Sequence, residues 1–341
     1  MAGPRGYSSY RGKKPVGKIL LSILLVLIIL GAVGFMLMEK YLVYDDSGKP
    51  HLVLPQTQEP ESGSAGIDSG SDVPPISIQE AEEPMRKALL LSGDPAVWQS
   101  QVNSLAREGY NAFAVTVKRT GGRLSYVSAV QDAAPASDAV SAQTLTALCQ
   151  GEAYAIARLS CFRDRGYANA WLEQAGLKNT GGFIFYDGNS ENWLDPGKQG
   201  TRQYLYAIAL ECAQMGFDQI LLTDFTYPTI GKLDKIDYGP AEQTENLRAF
   251  LEGMRAALDA AGYQDIKLAV ELPESVIMAG RDDNAGLVLD EIAAQADIYA
   301  VTTPQQASAL AEKVTAASEQ AMFIPELDAP MGKSYLVMPA E

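Results

Sequence analysis

From Met85 onward, short apolar runs alternate with segments of helical periodicity, and this alternation constrains the fold more than any other feature of the chain. Parallel strands need a crossover connection, usually a helix, so the pattern implies a sheet of parallel strands with helices packed on it. Eight candidate strands can be read: Ala88 to Leu91, Ala112 to Lys118, Ala153 to Leu159, Gln219 to Thr223, Lys267 to Glu271, Asp297 to Thr302, Ala321 to Pro325 and Ser334 to Met338. Helical periodicity covers Val97 to Arg107, Gln199 to Met215, Glu242 to Ala261, Gly286 to Gln295 and Gln305 to Ala317. Tyr204, Leu205, Ile208, Cys212 and Met215 mark the buried face of the second of these helices. Eight strands in residues 85–341 match the size of one (β/α)8 TIM-like barrel, about 250 residues. An open parallel α/β sheet is the alternative, because a strand count does not show closure.

The first 84 residues read differently. Ile19 to Met38 is an uninterrupted uncharged apolar run, about 30 Å long as a helix and so about one bilayer core. It exceeds the apolar core of a signal peptide and predicts an uncleaved signal anchor. Arg5, Arg11, Lys13, Lys14 and Lys18 precede it without an acidic residue, so residues 1–18 form a basic tail that the positive-inside rule keeps in the cytoplasm. The predicted location is the cell membrane, single-pass, with the C-terminal domain extracytoplasmic. Residues 39–55 read as a short β-hairpin stalk, two β-prone runs around Asp45-Asp-Ser-Gly48. Residues 56–84 carry Pro, Gly, Ser and acidic residues with no Lys or Arg, a linker too polar to bury a core.

The chain's net charge is −15, and setting aside the basic tail makes the remainder more negative still, which disfavours nucleic acid and anionic lipid surfaces as partners. The single histidine, His51, precedes the folded region, so a Ser-His-Asp triad, a His-Cys pair and any His-bearing zinc site are excluded from it. Acid-base work there falls to carboxylates, tyrosines or lysines. Cys149, Cys161 and Cys212 lack metal-ligand spacing and read as small buried hydrophobes. Gly121-Gly122 and Gly181-Gly182 are turn signals outside any phosphate-loop pattern, so no nucleotide, cofactor or metal is expected.

Four motifs follow one another in a recognisable order. They are Gly109-Tyr-Asn-Ala-Phe-Ala-Val-Thr-Val-Lys118 with Gly122 and Tyr126, then Cys161-Phe-Arg-Asp164, then Trp193-Leu-Asp-Pro196, and finally Gly216-Phe-Asp-Gln-Ile leading to Asp224-Phe-Thr-Tyr-Pro228. This order resembles a bacterial family of glycosyl hydrolase-like proteins, membrane-anchored or secreted β/α barrels distantly related to the α-amylase-like barrels. The chain departs from the family pattern at Thr116, where the family has Asp, and in Asp224 to Pro228, which is one residue shorter and lacks an Arg. Gly197 and Gly200 also weaken the start of the following helix.

Glycoside hydrolysis commonly uses two carboxyl groups flanking the scissile bond. Asp224 and Glu271 are the expected catalytic pair, since they end adjacent candidate strands and would converge at a barrel's C-terminal mouth. The α-amylase-like barrels have a further Asp after the seventh strand, which by resemblance adds Glu326 and Asp328 to the substrate-binding set. Lys118, Arg119, Arg163 and Asp164 follow the second and third strands, where they would bond sugar hydroxyls. Trp193, Tyr186 and Tyr227 are candidates to stack on sugar rings, and Trp98 reads as core. Asp195 before Pro196 has the composition of a helix N-cap. The expected function is a membrane-anchored extracytoplasmic glycoside hydrolase acting on a polysaccharide or other glycan ligand; the alternative is a catalytically inactive barrel serving as a glycan-binding or envelope-scaffold protein.

Overall fold

The computed structural model describes residues 85–339 and the backbone of two short strands, Leu42–Tyr44 and Pro50–Leu52. These two strands pair antiparallel with Val43 opposite His51, in the first of the two units 1–78 and 79–341. The expected basic tail (1–18), membrane-spanning run (19–38), linker (56–84) and the rest of the stalk (39–55) lie outside the described residues. Among the described residues no helix is long and apolar enough to cross a membrane.

Eight parallel strands form the second unit: β1 (Lys87–Leu90), β2 (Ala112–Lys118), β3 (Tyr154–Ser160), β4 (Gln219–Thr223), β5 (Lys267–Glu271), β6 (Asp297–Val301), β7 (Phe323–Leu327) and β8 (Tyr335–Val337). Each pairs with its neighbour in sequence, and β8 pairs with β1, with Leu336 opposite Ala88. The sheet is therefore a closed barrel, which overturns the open-sheet alternative. The strands alternate as a two-residue period requires. On β3, Ala155, Ala157 and Leu159 join the large cluster packed under the helices. Ile156, on the opposite face, joins Ala88, Ala112, Ala114, Leu221, Ala269, Ile324 and Leu336 inside the barrel, where the small alanines leave room for Tyr299. Each fully buried Leu or Ile contributes roughly 1.5–3 kcal/mol. Arg86, Asp297, Gln219 and Tyr299 plug the N-terminal end with hydrogen bonds of 2.6 to 3.0 Å.

Eight helices accompany the strands among the described residues: α1 (Pro95–Glu108), α2 (Ala142–Leu148), α3 (Arg165–Ala170), α4 (Gln199–Met215), α5 (Gln243–Ala260), α6 (Glu274–Ala279), α7 (Leu289–Ala293) and α8 (Pro304–Ala317). Asp94 caps α1 ahead of Pro95, and α4 closes on Gly216 in the left-handed conformation, φ 95°. The predicted face of α4 is buried, and Trp98 lies in the core. The helix expected over Gly286 to Gln295 is shorter than its periodicity suggests. Gly286, at φ 73°, turns a small hairpin in which Arg281–Asp282 pairs with Leu287–Val288, and α7 starts only beyond it. Asp195 is not the N-cap of α4; Lys198 holds that position without a side-chain bond. Asp195 instead accepts from Gly197 N at 2.9 Å, closing a turn ahead of the helix. Between β2 and β3 the strand Leu124–Val127 folds back antiparallel on β2, and Pro135–Ser141 pairs beyond it.

Candidate functional site

The inward row of β3 continues past Ile156 to Arg158 and Ser160, so strand alternation carries an arginine and a hydroxyl to the C-terminal mouth. Arg158 bridges two carboxylates from across the barrel. Its Nη2 donates to Glu271 Oε2 at the end of β5 and lies 3.3 Å from Glu326 Oε2 on β7. Burial weakens the guanidinium's hold on its proton, but Glu326 and Glu271 outweigh that and strengthen it.

Glu326 is fully enclosed. Burial pushes its carboxyl up to about 8; Arg158 opposes the shift, while the neighbouring Glu271 carboxylate adds to it. Burial and the neighbouring Glu271 thus favour the protonated form of Glu326, and the Arg158 guanidinium 3.3 Å away opposes it.

Asp224 stands one residue beyond β4 at φ 48°, in the left-handed region that non-glycine residues seldom occupy, though Asp tolerates it better than most. Three donors converge on its carboxylate. Ser160 Oγ lies 2.6 Å and Thr120 Oγ1 2.8 Å from Oδ2, while Arg163 Nη1 lies 3.4 Å from Oδ1. Asp224 and Glu271 both keep part of their side-chain surface open, 16% and 25%. Together with Phe225, Thr226, Leu272 and Pro273 they line one cleft of about 210 Å³. Two partly exposed carboxylates from adjacent strands thus share one cavity at the barrel mouth.

The other expected residues take different places. Lys118 is completely buried: the register shifts between Thr116 and Lys118, and the ammonium ends 3.0 Å from Asp164 and 5.8 Å from the Tyr204 ring on α4. Asp164 is enclosed as well; it accepts from Tyr167 N at 2.9 Å and so caps α3. Tyr227 is buried with its hydroxyl accepting from Asn246 at 3.0 Å, and burial raises its hydroxyl above the ordinary value. Direct contact with a sugar does not fit the enclosure of Lys118, Asp164, Tyr227 and Glu326; these side chains hold the wall of the site in place. Glu326 was expected just beyond β7, but that strand runs two residues further than its apolar run, which turns the carboxylate inward. Trp193 is nearly buried, its Nε1 donating to Asp187 at 3.0 Å, with the Arg163 guanidinium 5.7 Å from its ring centre. Arg163 remains partly open and touches Asp224. Arg119 pairs with Asp138, Asp328 is exposed on the loop after β7, and Tyr186 is half-exposed on the segment between α3 and α4.

Arg158, Ser160 and Thr120 are the site residues that the sequence reading passed over. Arg158 and Ser160 had a signal, two polar residues at alternate positions inside an apolar strand, whereas Thr120 sits in a turn without pattern. Asp195, in the turn before α4, has its carboxyl raised by burial to about 6, with the Gly197 amide opposing. Burial raises all three thiols, Cys149 to about 12, consistent with inert packing residues. Among the described residues no group of three or more His, Cys, Asp or Glu is placed to hold a metal ion.

One solved structure shares this architecture. The glycoside hydrolase domain of PgaB (BpsB) from Bordetella bronchiseptica aligns at TM-score 0.53 and 14% identity over 75% of this chain and 94% of that one, a likeness of fold. A hypothetical protein from Ruminiclostridium thermocellum ATCC 27405 aligns at TM-score 0.46 and 26% identity over 53% of this chain and 96% of that one. The GH20 beta-N-acetylhexosaminidase from Streptomyces coelicolor A3(2) aligns at TM-score 0.44 and 13% identity, over 74% and 52%. No curated protein matches the sequence. Residues 90–304, more than half of the chain, match the model of the family described as "Putative glycosyl hydrolase domain", and the chain belongs to that family.

Proposed function

We propose that this chain is a glycoside hydrolase acting on a polysaccharide, with Asp224 and Glu271 as its carboxyl pair. The observation that carries the reading is their placement at adjacent strand ends in one cleft at the C-terminal mouth, where β/α-barrel enzymes keep their chemistry. Asp224, with three donors around its carboxylate, suits the nucleophile or base. Glu271 suits the acid that protonates the leaving oxygen. It opens into the cleft beside Asp224, with the enclosed Glu326 behind it sharing the same Arg158. Arg163, partly open beside Asp224, would bond the sugar's hydroxyls.

The apolar run Ile19 to Met38 and the basic residues before it support placing this domain outside the cytoplasm on a single membrane anchor. The substrate in this reading is an envelope or extracellular polysaccharide.

A second reading rests on a specific observation: Asp224 and Glu271 are already engaged by Arg163 and Arg158, and Thr116 stands where the family has a carboxylate. In that reading the barrel binds glycan without cleaving it. Screening the protein against cell-wall and storage glycans for both binding and release of reducing ends separates the two. Turnover selects the hydrolase; binding without turnover selects the scaffold.

A further inference from the structure

A second cavity, of about 620 Å³, shares no lining residue with the carboxylate cleft. It lies between the segment 179–188, in the β3 to β4 crossover, and the segment 231–235, beyond β4. Backbone pairing fixes both walls. Asn179 pairs with Ile236, Thr180 N donates to Lys235 O at 2.8 Å, and Gly188 N donates to Ile230 O at 3.3 Å. Gly231, at φ 106°, brings the two segments so close that a Cβ there would lie 2.9 Å from Gly188 N. The cavity is thus preformed, and its size falls in the range of small-ligand sites, roughly 300–1,000 Å³.

Its lining mixes an apolar face with donors. Tyr186 is 52% exposed, Ile184 and Phe185 back it, and Lys232 and Lys235 stand opposite. Phe183 and Ile230, 73% and 45% exposed, extend the apolar rim. A concave wall of this kind does not offer the broad flat area of about 800 Å² per partner that a stable protein interface uses. It does match a sugar, which presents an apolar ring face to an aromatic and a rim of hydroxyls to donors. The chain between Asp224 and Gly231 spans at most about 25 Å even when fully extended, so a few linked sugars would bridge the two cavities.

We infer that the cleft around Tyr186, Lys232 and Lys235 is a second glycan-binding site, which holds a distal stretch of the polysaccharide whose cleavage point lies at Asp224 and Glu271. The inference deepens the glycan-directed reading above and rests on it. It makes the protein selective for polymers over short oligosaccharides.

The test measures binding of three probes, soluble cell-wall glycan fragments, polygalacturonate and hydroxyethyl cellulose, to the full chain carrying Asp224→Asn. The same chain with Tyr186→Ala, and with Lys232→Ala and Lys235→Ala together, is measured beside it. These side chains are surface groups, and unchanged circular dichroism checks the fold. The expected result is that at least one probe binds and that each added change weakens it about tenfold or more. Loss of the lysine effect in high salt marks an acidic sugar, and its persistence a neutral one. Equal binding in all variants, or no binding by any probe, overturns the inference. Hydrolysis by the chain with native Asp224 is followed separately. Turnover that Tyr186→Ala leaves unchanged on polymer and on short oligosaccharide sinks the second site while the hydrolase stands; Tyr186-dependent binding without turnover does the reverse.

Discussion

Ser160 Oγ on β3 lies 2.6 Å from Asp224 Oδ2, one residue past β4, so the inward row of one strand holds the carboxylate that ends the next. Hydrogen bonds to charged groups contribute about 1.5–3 kcal/mol, and each 1.4 kcal/mol is tenfold in rate. Ser160→Ala removes one of the three donors at Asp224. Glycan cleavage is expected to fall about ten- to hundredfold and the thermal midpoint by about 3–10 °C, as measured by reducing-end release and calorimetry on the same samples.

Glu326 ties stability to pH. Its carboxyl titrates near 8 in the fold against an ordinary 4.5, so between these values the folded state holds a proton that the unfolded chain has lost. Its contribution is fully present below about 4.5 and is lost as pH rises through 8, with a slope of about 1.4 kcal/mol per pH unit. Asp195, raised from 3.8 to about 6, adds a slope of the same sign at the acid end of that range. Denaturant unfolding at pH 6.5 and 8 should show the wild type losing stability and Glu326→Gln, which cannot titrate, losing less. Parallel slopes in the two proteins would remove Glu326 as the cause.

The Lys118 and Asp164 pair is a structural element. Both side chains are buried 3.0 Å apart, and removal of one partner leaves the other as an uncompensated charge. Lys118→Met is expected to cost about 3–5 kcal/mol, read as a lower unfolding midpoint in denaturant. A loss below about 1 kcal/mol would mean that the pair is more solvated than its burial indicates.

The barrel was legible in the sequence because its strands are short apolar runs separated by helical periodicity, and all eight are found within one residue of their expected bounds, save for β7, which starts and ends two residues later. Closure was not legible, since it depends on β8 pairing with β1 across the whole chain. Asp224 and Glu271 could be placed from the strand ends alone. Arg158 was hidden inside an apolar strand, and Glu326 looked like a loop residue because Pro325 appeared to end β7. Lys118 looked available to ligand until the register shift after Thr116 turned it toward α4. These three depend on which way a side chain faces, and a one-residue change in register reverses that.

The anchor expected at residues 19–38 predicts that the intact protein pellets with membranes, and that a chain beginning at residue 85 stays in the supernatant. Ultracentrifugation of both, with immunoblotting, is the measurement. Full-length protein free in the medium would contradict the anchor.

The central claim is that Asp224 and Glu271 cleave a glycosidic bond, and the most direct test compares reducing-end release from polysaccharide by the wild type, Asp224→Asn and Glu271→Gln. The account predicts turnover by the wild type and a fall of about a hundredfold or more in each variant, the scale of acid-base catalysis. Equal rates in all three proteins, or no turnover by the wild type on any glycan it binds, would contradict it.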